Sequence, residues 1–149
     1  MKPSMIFYPW KRIREGLIKL LDEVDEPDLE FQSFPGANPL GKLFLQIAEN
    51  EDYWIHAVAR KELPLDLHYE LKDFPSLSAI KMKLKVSQER TLSFLESLKE
   101  SDLEWRFKTP RGESILLFDI LWHVLENELH YRGEISLTLE MLKKQGLDI

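Results

Sequence analysis

Residues 114–145, SILLFDILWHVLENELHYRGEISLTLEMLKKQ, read as one long amphipathic helix. On a wheel of about 100° per residue, Leu117, Leu121, Val124, Leu125, Ile135, Leu139 and Leu142 gather on one side. Asn127 and Tyr131 lie at one margin of that arc, and His123, His130 and Glu134 lie a little further round. Glu128 falls inside the apolar arc with Arg132 one turn later, so the spacing predicts an i, i+4 ion pair between them. Gly133 sits mid-helix, at a cost of about 1 kcal/mol relative to Ala, which points to close approach by another helix or by a second chain. Lys143 and Lys144 suit the negative end of a helix, and Gly146 fits the position just after it.

Three further segments share the helical period. From about Ser4 to Val24, Ile6, Trp10, Ile13, Leu17, Leu20, Leu21 and Val24 recur at three- and four-residue steps. Pro9 is tolerated there only in a first turn; otherwise the helix begins at it. From about Leu40 to Lys61, the apolar side is Leu43, Phe44, Ile47, Trp54, Ile55 and Val58. Ser76 caps the third, and Ile80, Leu84, Thr91, Phe94 and Leu95 carry the period to about Leu98. The acidic stretch Glu26–Pro39 is punctuated by Pro27, Pro35, Gly36 and Pro39 and reads as a solvated loop. Residues 62–75 form a second long connection, and LEWRFKTPRGE, residues 103–113, alternates like a short hairpin. The expected fold is all-α: an antiparallel four-helix bundle with long connections and a short extended segment before the last helix, in one domain spanning residues 1–149.

Composition narrows the function classes. The 149 residues hold 20 Lys+Arg against 26 Asp+Glu, a net charge of −6, without a long basic cluster, so nucleic acid is not an expected partner. No apolar run approaches the ~20 residues of a membrane helix, and Arg12, Arg14 and Glu15 interrupt the N-terminal region where a signal peptide would be apolar. Cysteine is absent, which removes disulfides, thiolate metal sites and cysteine nucleophiles. A cytoplasmic protein is expected. The chain also lacks G-x-S-x-G, G-x-G-x-x-G and the phosphate-binding glycine loop.

A metal site needs several ligands on one face. His123 and His130 are seven residues apart, about 10.5 Å of helical rise, too far for two imidazoles to reach one ion at ~2.1 Å each. His56 and His68 stand isolated and read as surface or rim residues.

DILWHVLENELHYRGEISLTLEMLKKQGLDI, residues 119–149, resembles the C-terminal helix of the DinB-like, or damage-inducible, proteins, whose pattern there is His-Val followed by His-Glu-x-His-His-Arg-Gly-Gln/Glu-Ile. LGKLFLQIAENEDYWI, residues 40–55, is similar to their second helix and FYPWKRIREGLIKLLD, residues 7–22, to their first. The resemblance implies a four-helix bundle, often homodimeric and stress-related, and in many members a metal-dependent enzyme such as a thiol transferase. It places that family's three metal-binding histidines, one on the second helix and two on the last, at Gln46, Asn127 and Tyr131, none of which is histidine. Amide oxygens and a phenol are weak donors to zinc or nickel, so no cofactor is expected, and the three side chains are expected to hydrogen-bond one another in a polar pocket. Glu49, His123, Glu126 and His130 are the neighbours from which a rearranged zinc or nickel site would have to be built. The leading expectation is therefore a non-catalytic or small-ligand-binding dimeric bundle. The alternatives are a divalent-metal enzyme of thiol-transferase type with rearranged ligands, and a bundle that only binds a protein partner.

Overall fold

A computed structural model describes residues 1–147. Among these described residues are five α-helices: α1 (Pro3–Ile6), α2 (Pro9–Leu21), α3 (Leu40–Glu51), α4 (Leu77–Ser97) and α5 (Leu117–Leu147). The first amphipathic segment is thus broken, with the main helix beginning at Pro9, where the missing N–H costs nothing. The acidic connector is not wholly irregular, because Glu26–Glu30 forms a 3₁₀ turn. Residues 114–116 do not belong to the last helix. They form strand β2 (Ser114–Leu116), antiparallel to β1 (Arg106–Lys108), with Phe107 opposite Ile115. Gly112, at φ +83°, makes the turn between them in a conformation that side chains disfavour. Gly146 lies within α5 rather than after its end.

The second amphipathic segment changes character midway. After Glu51 the α-helix continues as a π-helix from Asp52 to Ala59, ending before the expected Lys61. Lys61 takes a left-handed φ of +56°, and the N–H groups of Glu62 and Leu63 turn back onto the carbonyl of His56 at 2.8 and 3.1 Å. Ser76 caps α4 as its sequence predicts, its Oγ accepting from Ala79 N–H at 3.1 Å.

The four long helical rods form a four-helix bundle. α3 packs against α4 and α5, and α2 packs against the same two, so α2 and α3 face each other across the bundle. The long 22–39 connection supplies the crossing that this arrangement needs.

Two apolar clusters fill the interior. One contains Leu17, Leu21, Phe44, Ile47, Ile80, Leu84, Ile135 and Leu139. The other contains Trp10, Ile55, Leu95, Leu121, Val124 and Leu125. Burying each large apolar side chain contributes roughly 1.5–3 kcal/mol. Between the clusters lies a polar layer, because every rod places charged or hydroxyl side chains at its midpoint. Arg14 lies between Trp10 and Leu17, Glu51 between Ile47 and Ile55, Ser87 and Thr91 between Leu84 and Leu95, and Glu128 between Leu125 and Ile135; all are buried.

Candidate functional site

The polar layer is organised around Arg14. Its Nε donates to Glu128 Oε2 at 2.9 Å, and Nη2 donates to Glu128 Oε1 at 2.7 Å and to Glu51 Oε1 at 2.8 Å. Nη1 donates to the Leu84 carbonyl at 2.7 Å. Trp10 Nε1 completes Glu128 at 2.9 Å. Glu128 is therefore buried, as its place in the apolar arc implies, but its partner is Arg14 and not Arg132. Arg132 instead lies over Gly16, where an added Cβ would meet its Nη2 at 2.9 Å.

The layer continues towards the surface through hydroxyl and imidazole groups. The Thr91 hydroxyl has one proton; its shorter contact, 2.6 Å, is to Glu51 Oε2, against 3.1 Å to the Ser87 carbonyl. Arg60 Nη1 approaches His56 Nδ1 at 3.0 Å and can only donate, so Nδ1 is the acceptor nitrogen. Nε2 then carries the proton and donates to Thr91 Oγ1, also at 3.0 Å. His56 is fully buried, contrary to its reading as a rim residue. On a uniform 100° wheel it falls opposite Ile47; the wider π turn carries it inward. Exposed His68 agrees with its reading.

Burial pushes Glu51 above the ordinary carboxylate range, although Arg14 opposes the rise. Burial also works against the charge on Arg14, but Glu51 and Glu128 outweigh it and hold the guanidinium above its ordinary value. Burial holds His56 down at about 4, with Asp52 opposing and Arg60 and Arg90 reinforcing the depression. A second branch centres on buried Asp52, whose Oδ2 accepts from Tyr69 Oη at 2.6 Å, Ser87 Oγ at 3.0 Å and Lys83 Nζ at 3.0 Å. Burial, together with the hydrogen bond to Asp52, raises Tyr69 above its ordinary value.

The positions singled out by resemblance lie apart from this layer, on α3 and α5. Gln46, Asn127 and Tyr131 are half-buried. No hydrogen bond joins any two of them among the described residues; Asn127 Nδ2 meets His123 Nε2 at 3.0 Å instead. The expected self-satisfied cluster is thus replaced by an i, i+4 pair along one helix. His123 also lies edge-on to Trp54 at 5.4 Å, and His130 pairs with Glu134 at 3.2 Å. Glu49 accepts from Tyr69 N–H at 2.7 Å and faces Lys42 at 3.5 Å, so it ties the 62–75 connection to α3. Glu126 is exposed.

The donor set does not fit a transition metal held as the resemblance implies. Two of the positions offer amides. The third offers a phenol that burial, Glu134 and Glu49 all raise above its ordinary value, which disfavours the phenolate a metal would need. Among the described residues no three His, Asp or Glu side chains converge as a metal site. Gly133 has nothing within 4 Å of an added Cβ, so no helix among the described residues uses it for close approach.

One turn before Gln46 and one turn after Tyr131, Leu43 and Glu134 wall a cleft of about 440 Å³. Ser33, Phe34, Asn38, Leu137 and Thr138 also line it, and Gly36 at φ +88° turns the loop along its edge. No helix among the described residues is long and apolar enough to cross a membrane.

A family model described as the DinB superfamily matches residues 10–135. The structure of a DinB-like protein from Bacillus cereus superposes with a TM-score of 0.70 at 18% identity, covering 96% of this chain and 95% of that one. A conserved protein from Enterococcus faecalis superposes with a TM-score of 0.76 at 16% identity, over 95% of this chain and 97% of that one. At such identities these likenesses speak for the fold alone. Among curated proteins no sequence matches.

Proposed function

The chain belongs to the DinB superfamily, and on that footing we propose that it is a ligand-binding, homodimeric member with no catalytic metal at the position its relatives use. The observation that carries this reading is the donor set: Gln46, Asn127 and a Tyr131 whose ionisation is disfavoured stand where the resemblance puts three imidazoles. Loss of all three removes both the affinity for a divalent ion and the Lewis acidity that would activate a thiol or water. The adjoining cleft of about 440 Å³ falls within the roughly 300–1,000 Å³ of small-molecule sites. Its Ser33, Thr138 and Glu134 supply polar contacts, and Phe34, Leu43 and Leu137 supply apolar walls. Dimerisation is supported by the outer face of α5. Phe118, Trp122 and Leu129 are 38%, 48% and 46% exposed and lie with Gly133 within about 60° of the helical wheel.

The test is calorimetric titration of zinc and nickel into tag-free wild type and into Gln46→His/Asn127→His/Tyr131→His. The wild type binds neither ion tightly, whereas the triple variant binds about one per chain. Stoichiometric, tight binding to the wild type overturns the proposal.

A further inference from the structure

The far end of the α3–π rod carries a second cavity, remote in sequence from Gln46, of about 460 Å³. Phe94, Trp105 and Phe107 supply aromatic side chains and Arg60 a guanidinium group, while Arg106 borders the cavity from the exposed face of its strand. Trp105 is 47% exposed, although its main chain is fixed at both ends, N–H to Asp102 O at 3.0 Å and carbonyl to Leu117 N–H at 2.8 Å. The hairpin therefore holds a large indole face towards solvent at the cavity. Arg60 is fixed too: its guanidinium carbon sits 4.7 Å from the centre of the Phe94 ring, and His56 Nδ1 takes one of its N–H groups. The chain already places a carboxylate on this arginine, since Glu62, at the cavity rim, accepts from Nη2 at 2.8 Å. The Arg106 side chain has no ion pair among the described residues; its one hydrogen bond there is to Ser114 Oγ at 3.4 Å.

We propose that this cavity is a binding site for a small planar aromatic carboxylate, its ring between the aromatic walls and its carboxylate on Arg106 and the open N–H groups of Arg60. A guanidinium fork matches a carboxylate in geometry and charge, and the walls are rings rather than aliphatic side chains, which favours a flat ligand. Glu62 acts as the internal competitor that a ligand carboxylate joins or displaces.

The experiment is a titration of indole-3-carboxylate into ¹⁵N-labelled full-length protein, read at the four tryptophan indole N–H signals. The Trp105 signal moves in a saturable way, while those of Trp10 and Trp54, outside the cavity, stay in place. Indole-3-carboxamide, the same ring without the charge, binds at least about tenfold more weakly, as does the carboxylate to Arg106→Gln, given the worth of a charge-assisted hydrogen bond. Arg106 is exposed, so the variant folds, and its unshifted Trp10 and Trp54 signals verify that. Glu62→Gln binds the carboxylate more tightly. No movement of Trp105 at millimolar ligand, equal affinity for the carboxamide, or unchanged affinity in Arg106→Gln overturns the proposal.

Discussion

Replacing Arg14 by Leu removes a fully buried cation from the centre of the bundle and with it four hydrogen bonds, two of them to Glu128 and one each to Glu51 and the Leu84 carbonyl. Glu128 keeps only Trp10, and Glu51 keeps only Thr91. Breaking a buried pair from one side costs about 3–5 kcal/mol, because the remaining charge stays buried without a partner. For a chain of this size that corresponds to a fall in Tm of roughly 6–20 °C. The deficit depends on pH in a defined direction. Glu51 is already held above the ordinary carboxylate range by burial, and loss of Arg14 raises it further. A carboxyl raised in the folded state favours folding while protonated, and the advantage is lost as pH rises through the folded value. The Arg14→Leu deficit is therefore largest at neutral and alkaline pH and shrinks on mild acidification. Urea unfolding at pH 5 and pH 8 reads both quantities. Arg14→Met/Glu51→Leu/Glu128→Leu, with none of these three charges left to bury, recovers wild-type stability or exceeds it. An Arg14→Leu deficit below about 1 kcal/mol, or one that does not change with pH, refutes the reading of the polar layer as a coupled charge cluster.

Three further outcomes follow from the same geometry. His56 stays neutral in the folded chain down to about pH 4, whereas the unfolded chain takes up its proton near 6.5; stability contributed by this group falls by up to ~3 kcal/mol between those values. The difference in unfolding free energy between wild type and His56→Gln shows that slope, and a difference constant from pH 7 to 4.5 contradicts it. Tyr69→Phe takes the 2.6 Å donor from Asp52, whose Oδ1 already has no partner among the described residues, and costs about 1.5–3 kcal/mol in denaturant unfolding; a cost near zero contradicts a stabilising role for this hydrogen bond. Gly133→Leu enters open space on one chain, so it leaves helix content intact and weakens self-association about tenfold or more by overpacking the dimer face. Sedimentation equilibrium checks this, and a wild type monomeric at micromolar concentration removes the dimer.

The bundle was legible because hydrophobic period survives averaging: Leu17 and Leu21, Ile80 and Leu84, and Ile135 and Leu139 all sit in the core where the wheel puts them. The hairpin and the Ser76 cap were legible for local reasons, an alternating run before Pro-Arg-Gly and a hydroxyl before an apolar repeat. The polar layer left a signal that one helix alone does not interpret. Arg14, Glu51 and Glu128 each interrupt an apolar stripe, and three interruptions of compensating charge on three helices point to one buried cluster. Reading Glu128 with Arg132 failed because a local i, i+4 partner competes with a tertiary one, and Arg14 offers a two-point contact to a carboxylate already held by Trp10. The π-helix was illegible, since the α-helical period is the assumption by which residues are assigned to faces; buried His56 is the consequence. Positions 46, 127 and 131 came from resemblance, and their partners depend on side-chain direction, which spacing along a helix does not determine.

On the proposed reading, the side chains of Gln46, Asn127 and Tyr131 leave this bundle without tight divalent-metal binding. The most direct measurement is elemental analysis of tag-free protein after incubation with zinc, nickel and manganese and exhaustive desalting. Far less than one ion per chain is expected for each metal. About one retained ion per chain, lost on His123→Ala or His130→Ala, contradicts it and restores the reading of a metal enzyme with rearranged ligands.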